Sequence, residues 1–162
     1  EFQTCLNTHE MLDSKDKFEQ FCRDHGVIPQ EYLSDNGSSF TSSGFTNHLS
    51  NFQQVINFAG VGAHHHNGNA ERGIQTIMSI ARTMKLHAAI NWPDMADSML
   101  WPMAVQHAVF LYNHVPNLST GLSPMDVFSR KRWPSRKFHD LHVWGCPVYI
   151  LDKAIQDGKK LP

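Results

Sequence analysis

Two carboxylates stand out by their placement. Asp35 ends an apolar extended stretch and opens the run Asp35-Asn36-Gly37, while Glu71 stands at the head of a long amphipathic stretch; 35 residues separate them. An acid at a strand end and another on a neighbouring helix can converge on a hard divalent cation. Such an ion takes oxygen ligands and leaves positions for water and phosphate, and two of them can stabilise both the attacking and the leaving oxygen in phosphoryl transfer. The same residues also suit humbler roles. Asp-Asn-Gly is a turn sequence, and a first-turn glutamate complements a helix dipole. On these residues alone both readings stand.

Other polar groups surround the pair in sequence. His64, His65 and His66 are consecutive, so their side chains diverge, and no paired cysteine completes a zinc site with them. His107 and His114 lie seven apart in an apolar stretch, where histidines satisfied within a core are the expected reading. Arg130, Lys131, Arg132, Arg136 and Lys137 crowd eight residues together with Trp133 and Pro134. Phosphates attract such a cluster without regard to base sequence. A solvated linker would look the same.

These groups need elements to hold them. Residues 1–7 read as the tail of a strand. Residues 14–25 read as a helix with Phe18, Phe21 and Cys22 on one face and Gly26 as its stop. Residues 27–34 are extended. Thr41 to Ser43 offer caps for a short helix carrying Phe45, Leu49 and Phe52. Residues 54–58 form a strand, and 59–69 a loop loosened by Gly60, Gly62 and Gly68. The following helix presents Ile74, Ile77, Met78, Ala81, Met84 and Ala88 inward and Glu71, Gln75, Ser79 and Arg82 as a polar stripe. Residues 94–115 read as one helix with Met99, Met103, His107, Phe110 and Leu111 inward, started anew or kinked at Pro102. Ser123-Pro124 caps a short helix through Phe128, and residues 142–151 alternate as a strand around Gly145. Strands alternating with helices predict a layered α/β domain, and the chain reads as cut at both ends.

The chain has 162 residues with 41% hydrophobic and 18% charged side chains, enough for one buried core and unlike disorder or coiled coil. Three cysteines without a CxxC pair exclude a disulfide scaffold and favour a reducing compartment. Residues 98–125 contain no Lys, Arg, Asp or Glu, but Pro102, Gln106, His107, Asn113, His114 and Pro116 interrupt them, so a buried helix is expected and no membrane. The net charge of −1 hides an asymmetry. Residues 1–71 hold three Lys/Arg against nine Asp/Glu, and residues 72–162 hold eleven against six. That distribution suits an acidic metal site beside a basic phosphate track, or two ordinary solvated surfaces.

Several short motifs, in order, add a resemblance. Leu33-Ser34-Asp35-Asn36-Gly37-Ser38-Ser39-Phe40 resembles the second-aspartate motif of the integrase core of copia-type retrotransposons, and His66-Asn67-Gly68-Asn69-Ala70-Glu71-Arg72 its loop-plus-glutamate motif, at the family's own separation. Ile80-Ala81-Arg82-Thr83-Met84, Leu100-Trp101-Pro102-Met103-Ala104-Val105, Tyr112-Asn113-His114-Val115-Pro116 and Gly121-Leu122-Ser123-Pro124 resemble the helices and turn beyond. His142-Val143-Trp144-Gly145-Cys146-Pro147-Val148-Tyr149 resembles the post-core strand. The match runs from about residue 33 to the end, with residues 1–32 matching loosely.

This resemblance implies an RNase H-like three-layer α/β fold, lacking its first strand or strands and carrying a short C-terminal strand extension. The core would span residues 1–133 and the start of the extension 134–162. It implies two aspartates and a glutamate holding two Mg²⁺ (or Mn²⁺), and a reaction that joins 3′-hydroxyl ends of element DNA to a target duplex. Asp35 and Glu71 match the second and third acids, as catalytic residues and metal ligands. No position matches the first, which the family carries on a preceding strand; Glu1, Glu10 and Asp13 do not stand in its pattern. The 162 residues alone are therefore expected to be inactive. The histidine run departs from the family's usual Pro-Gln or Gln-Gln, leaving His66 a glutamine-like donor to DNA. DNA would be met by His66, Asn67, Arg72, Gln75, Arg82, Arg130, Lys131, Arg132, Arg136 and Lys137. A homo-oligomer and a nuclear location after a cytoplasmic particle stage are implied as well. The alternatives are a decayed or domesticated DNA-binding or interaction module without catalysis, and another RNase H-like transposase or nuclease.

Overall fold

The structure is a computed structural model that describes residues 7–60, 68–132 and 135–150. The expected strand tail at residues 1–6 and the histidines of the 61–67 loop lie outside the described residues. Helix α1 spans Thr8–Asp24, six residues earlier than the sequence suggests. Asn7 is the reason: its side chain accepts from Glu10 N at 2.8 Å and caps the first turn. The buried face of α1 also differs from expectation. Lys15, Glu19 and Cys22 are inside, while Phe18 and Phe21 are exposed.

Strand β1 (Glu31–Ser34) is followed by helices α2 (Ser38–Thr41) and α3 (Ser43–Asn51) and then by strand β2 (Val55–Phe58). The strands pair in parallel, from Glu31 opposite Val55 to Ser34 opposite Phe58. Two parallel strands joined by a helical crossover are an α/β unit. Ser42 caps α3, and its Phe45 and Leu49 are buried, as their spacing predicts, whereas Phe52 ends exposed at the C-cap.

Helix α4 (Gly68–Asn91) is the longest described element. Ala81 and Ala88 on it are buried, and Ala81 packs with Ala104 and Ala108 of α5 (Trp101–His114). Side chains this small let two helices approach closely; Ile77, Ile80, Met84, Val105 and Trp144 close the seam around them. The expected single helix over 94–115 is broken into two 3₁₀ turns, Pro93–Met95 and Ser98–Leu100, before α5 begins with Pro102 in its first turn. Asp97 accepts from Met99 N at 2.8 Å and so stabilises the second turn. Met99 and Met103 are 77% and 60% exposed, so the inward face is the alanine face and not the methionine one.

Helix α6 (Pro124–Ser129) starts at a capping box: Asp126 N donates to Ser123 Oγ, and Ser123 N donates to Asp126 Oδ2. Phe128 on α6 stacks on Phe21 of α1 at 5.8 Å between ring centroids, linking the two halves. A 3₁₀ segment at Ser135–Asp140 follows. Residues 142–150 do not form the expected strand: a turn at Trp144 and Gly145 interrupts them, and Val148, Tyr149 and Ile150 are exposed. None of the described helices is long and apolar enough to cross a membrane.

Candidate active site and nucleic-acid interface

Asp35 lies just past the C-terminal end of β1, exposed to solvent. Its Oδ1 accepts from Gly37 N at 3.1 Å, which makes the turn that leads into α2. A Cβ at Gly37 would lie 3.0 Å from that oxygen, so glycine lets the backbone sit close to the carboxylate. Asn36 Nδ2 donates to Ala59 O at 3.0 Å, and Ala59 N donates to Ser34 O at 2.8 Å. The end of β2 thus buttresses the turn that carries Asp35.

Glu71 stands in the first turn of α4 and is exposed. Gln75, Ser79 and Arg82 are exposed as well, as the periodicity predicts, but Ile74 and Met78, expected inward, are exposed too at 61% and 46%. Arg72 donates to Asn69 Oδ1 one turn back, which orients it at the helix start. Among the described residues neither Asp35 nor Glu71 has a cationic side chain in ion-pair contact. No group of three His, Cys, Asp or Glu among the described residues is arranged to hold a metal. A hard divalent cation takes six or more oxygen ligands, some of them water or phosphate, so two carboxylates are fewer protein ligands than a closely spaced pair of ions needs.

Arg130 adopts a left-handed conformation (φ 54°) at the end of α6, and Lys131 and Arg132 are exposed beside it. His66, Asn67 and the side chains of Arg136 and Lys137 lie outside what is described. His114 contacts Phe110 O through Nδ1 at 2.8 Å, in line with a satisfied, half-buried histidine.

Two features escape sequence reasoning. One is a buried polar knot. Lys15 Nζ lies 2.7 Å from Glu19 Oε1, to which Tyr32 donates at 2.5 Å and Gln54 Nε2 at 2.6 Å. Burial alone would push the Glu19 carboxyl up, but bonds from Lys15, Tyr32 and Gln54 and the lysine's charge outweigh it and hold the group at about 2. Burial and the neighbouring Glu19 raise the Tyr32 hydroxyl instead. The knot ties α1 to β1, three residues before Asp35, and to the entry of β2. Its only sequence signal is the four-residue spacing of Lys15 and Glu19, which equally describes a solvated pair. The other feature is an open cavity of about 480 Å³ between α4, the 3₁₀ turns, α5 and the Trp144-Gly145 turn. Its walls come from segments far apart in sequence, so no local pattern announces it.

No protein-family model matches the chain. It is 28% identical, over an alignment of 165 residues, to the retrovirus-related Pol polyprotein from transposon TNT 1-94 of Nicotiana tabacum; the alignment takes in 94% of this chain and 12% of that protein. Among solved structures it is similar to the HTLV-2 integrase catalytic core domain in complex with magnesium. The trimeric form matches with a TM-score of 0.54 at 15% identity, covering 76% of this chain and 71% of that one. The dimeric form matches at 0.52 and 16%, covering 75% and 69%. A simian T-cell lymphotropic virus intasome in complex with a PP2A regulatory subunit matches at 0.52 and 16%, covering 79% of this chain and 42% of that one. The chain has the RNase H-like fold of integrase catalytic cores, and along 94% of its length its sequence resembles a retrotransposon Pol polyprotein.

Proposed function

We propose that this chain belongs to the catalytic core of a retroelement integrase, in which Asp35 and Glu71 contribute ligands to Mg²⁺ or Mn²⁺ and DNA 3′ ends are joined to a target duplex. The observation that carries the reading is the placement of these two acids, one past the end of β1 and the other in the first turn of α4, both exposed, within an integrase-core fold. The similar HTLV-2 cores are in complex with magnesium, an ion for which carboxylate oxygens are suitable donors. A bound divalent ion would supply neutralisation of the phosphate and activation of an oxygen nucleophile. The chain's own residues supply the rest. The Asp35 turn is held by Gly37 N and Asn36; Arg72 and Gln75 lie within about one turn of Glu71 and Arg82 farther along α4, each a donor for phosphate and sugar oxygens. His66 and Asn67, which precede α4 in sequence, add further donors to DNA. The basic run from Arg130 to Lys137 adds sequence-independent attraction.

In this reading residues 1–133 form the core and 134–162 begin an extension. The working assembly is a homo-oligomer that acts in the nucleus after a particle stage in the cytoplasm. Forms of the similar integrase cores are dimeric and trimeric. The 162 residues alone are silent, because two carboxylates do not order two ions.

A second reading, a DNA-binding module without chemistry, draws on the lack of a three-ligand metal group among the described residues. Metal binding separates the two. Mn²⁺ titrated into the chain, followed by electron paramagnetic resonance, should show one weak site that Asp35→Asn and Glu71→Gln each remove. Mn²⁺ binding that is undiminished in both variants contradicts the assignment and favours the module.

A further inference from the structure

The face of α4 that carries Glu71 continues into the cavity. At 3.6 residues per turn, Met78, Arg82, Lys85 and Ala89 fall within about 40° of Glu71 around the helix axis, and all four line the cavity. Arg82 lies about 16 Å along the axis from Glu71. That distance covers about five stacked nucleotides of one strand at roughly 3.4 Å each, and fewer if the strand is extended. The walls are mainly apolar and include Trp92, Trp101 and Trp144, three of the chain's four tryptophans. Trp101 is 49% exposed, so its ring is accessible from solvent.

The cavity wall carries two cations and one carboxylate. Arg82 and Lys85 both line the cavity, and among the described residues no carboxylate is in ion-pair contact with either. Lys85 Nζ donates to the backbone at Ser98 O, 3.0 Å away, which holds the ammonium at the rim. Asp97 is also on the wall, with Oδ1 accepting from Met99 N. A largely apolar wall that includes three tryptophans, with cations at the edge, suits a planar ring attached to an anion. Base stacking on aromatic side chains, with Lys and Arg on the phosphates, is how unpaired nucleic-acid strands are held.

We propose that this cavity takes an unpaired nucleotide of a DNA strand, with its base among Trp92, Trp101 and Trp144 and its phosphate on Arg82 and Lys85. The inference rests on the DNA reading of the Glu71 face and deepens it: a strand laid along α4 from Glu71 reaches the cavity within a few nucleotides. A single-stranded tail or a frayed end fits; a blunt duplex, with its bases paired and stacked, does not.

The test uses the full 162-residue chain carrying Trp133→Phe, so that all remaining tryptophans line the cavity. Tryptophan fluorescence is titrated with decathymidylate and with an abasic decamer of equal phosphate count. Decathymidylate should quench and bind at least about fivefold more tightly, the low end of what one stacked base contributes. Trp101→Ala should erase that ratio, and Arg82→Glu should weaken both probes alike. Ala89 is exposed, so Ala89→Phe fills the cavity without touching the core and should also erase the ratio should Trp101→Ala misfold. Equal binding of the two probes overturns the proposal, as does quenching by naphthalene-1-acetate with none by decathymidylate, which would make the cavity a small-molecule site. The DNA-joining reading fails separately: base-dependent binding without any end joining by a longer chain keeps the cavity and removes the integrase. End joining without base-dependent binding does the reverse.

Discussion

Glu19 shows what single residues contribute here. Its side chain is 3% exposed and is met by Lys15, Tyr32, Gln54 and Arg23, so removing its charge leaves the Lys15 ammonium buried beside Phe52 and Tyr32 without its counter-charge. Glu19→Gln should cost a few kcal/mol in urea unfolding at pH 7. The pH dependence has a definite sign. The folded carboxyl, at about 2, lies below its ordinary value of 4.5, so the stabilisation is complete above about 4.5 and falls away as the pH drops toward 2. It amounts to something on the order of 3 kcal/mol. Subtracting the variant's unfolding curve from that of the parent isolates this residue from the other carboxylates. A difference that stays flat between about pH 5 and 2.5 would show that the knot does not hold the group ionised. The knot is illegible in the sequence because phenylalanines outrank Lys and Glu in any apolar count. Asp35 and Glu71 are legible because local turn and helix-start patterns frame them, and the structure leaves both exposed at those positions.

At the scale of elements, sequence and structure part where neighbours decide the outcome. An apolar count marks Met99 and Met103 as core, yet close helix approach selects Ala104 and Ala108, because only a small side chain fits the seam with Ala81. The strand expected at 142–151 alternates in hydropathy, but Gly145 takes φ +80° and turns the chain onto α4. A Cβ there would meet Ala88 Cβ at 2.8 Å. Gly145→Ala combines that overlap with an unfavourable backbone region and should destabilise by about 2–4 kcal/mol. It should also lift Trp144 off the α4–α5 seam, which shows as a red-shifted tryptophan emission. Unchanged melting and emission would mean that the turn does not dock as described. The Ser42 cap of α3, the long α4 and the Ser123 cap of α6 are legible in the sequence, since caps and periodicity are local signals.

The whole molecule is close to neutral, but its basic residues gather in the second half, from Arg72 onward. If the run from Arg130 to Lys137 tracks phosphates, replacing Arg130, Lys131, Arg132, Arg136 and Lys137 by Ala should weaken all duplexes alike. It should also reduce the slope of log K against log salt by roughly 0.9 for each phosphate that is no longer neutralised. An unchanged slope would make the run a solvated linker. The fold class can be read from the order of short motifs along the chain. The parallel register of β1 and β2 and the docking of α1 on α6 instead depend on pairings between distant residues, such as Phe21 and Phe128.

Glu71 as part of a metal-dependent DNA-joining site is the central claim. The direct measurement is end joining of a recessed-end duplex in Mg²⁺ by the full-length protein that carries these residues, compared with its Glu71→Gln form. The substitution removes one anionic oxygen and costs the helix start only a few tenths of a kcal/mol. The parent chain should join ends and the variant should not, with unchanged helical circular dichroism and melting. Joining retained by a folded Glu71→Gln protein in Mg²⁺ would contradict the claim.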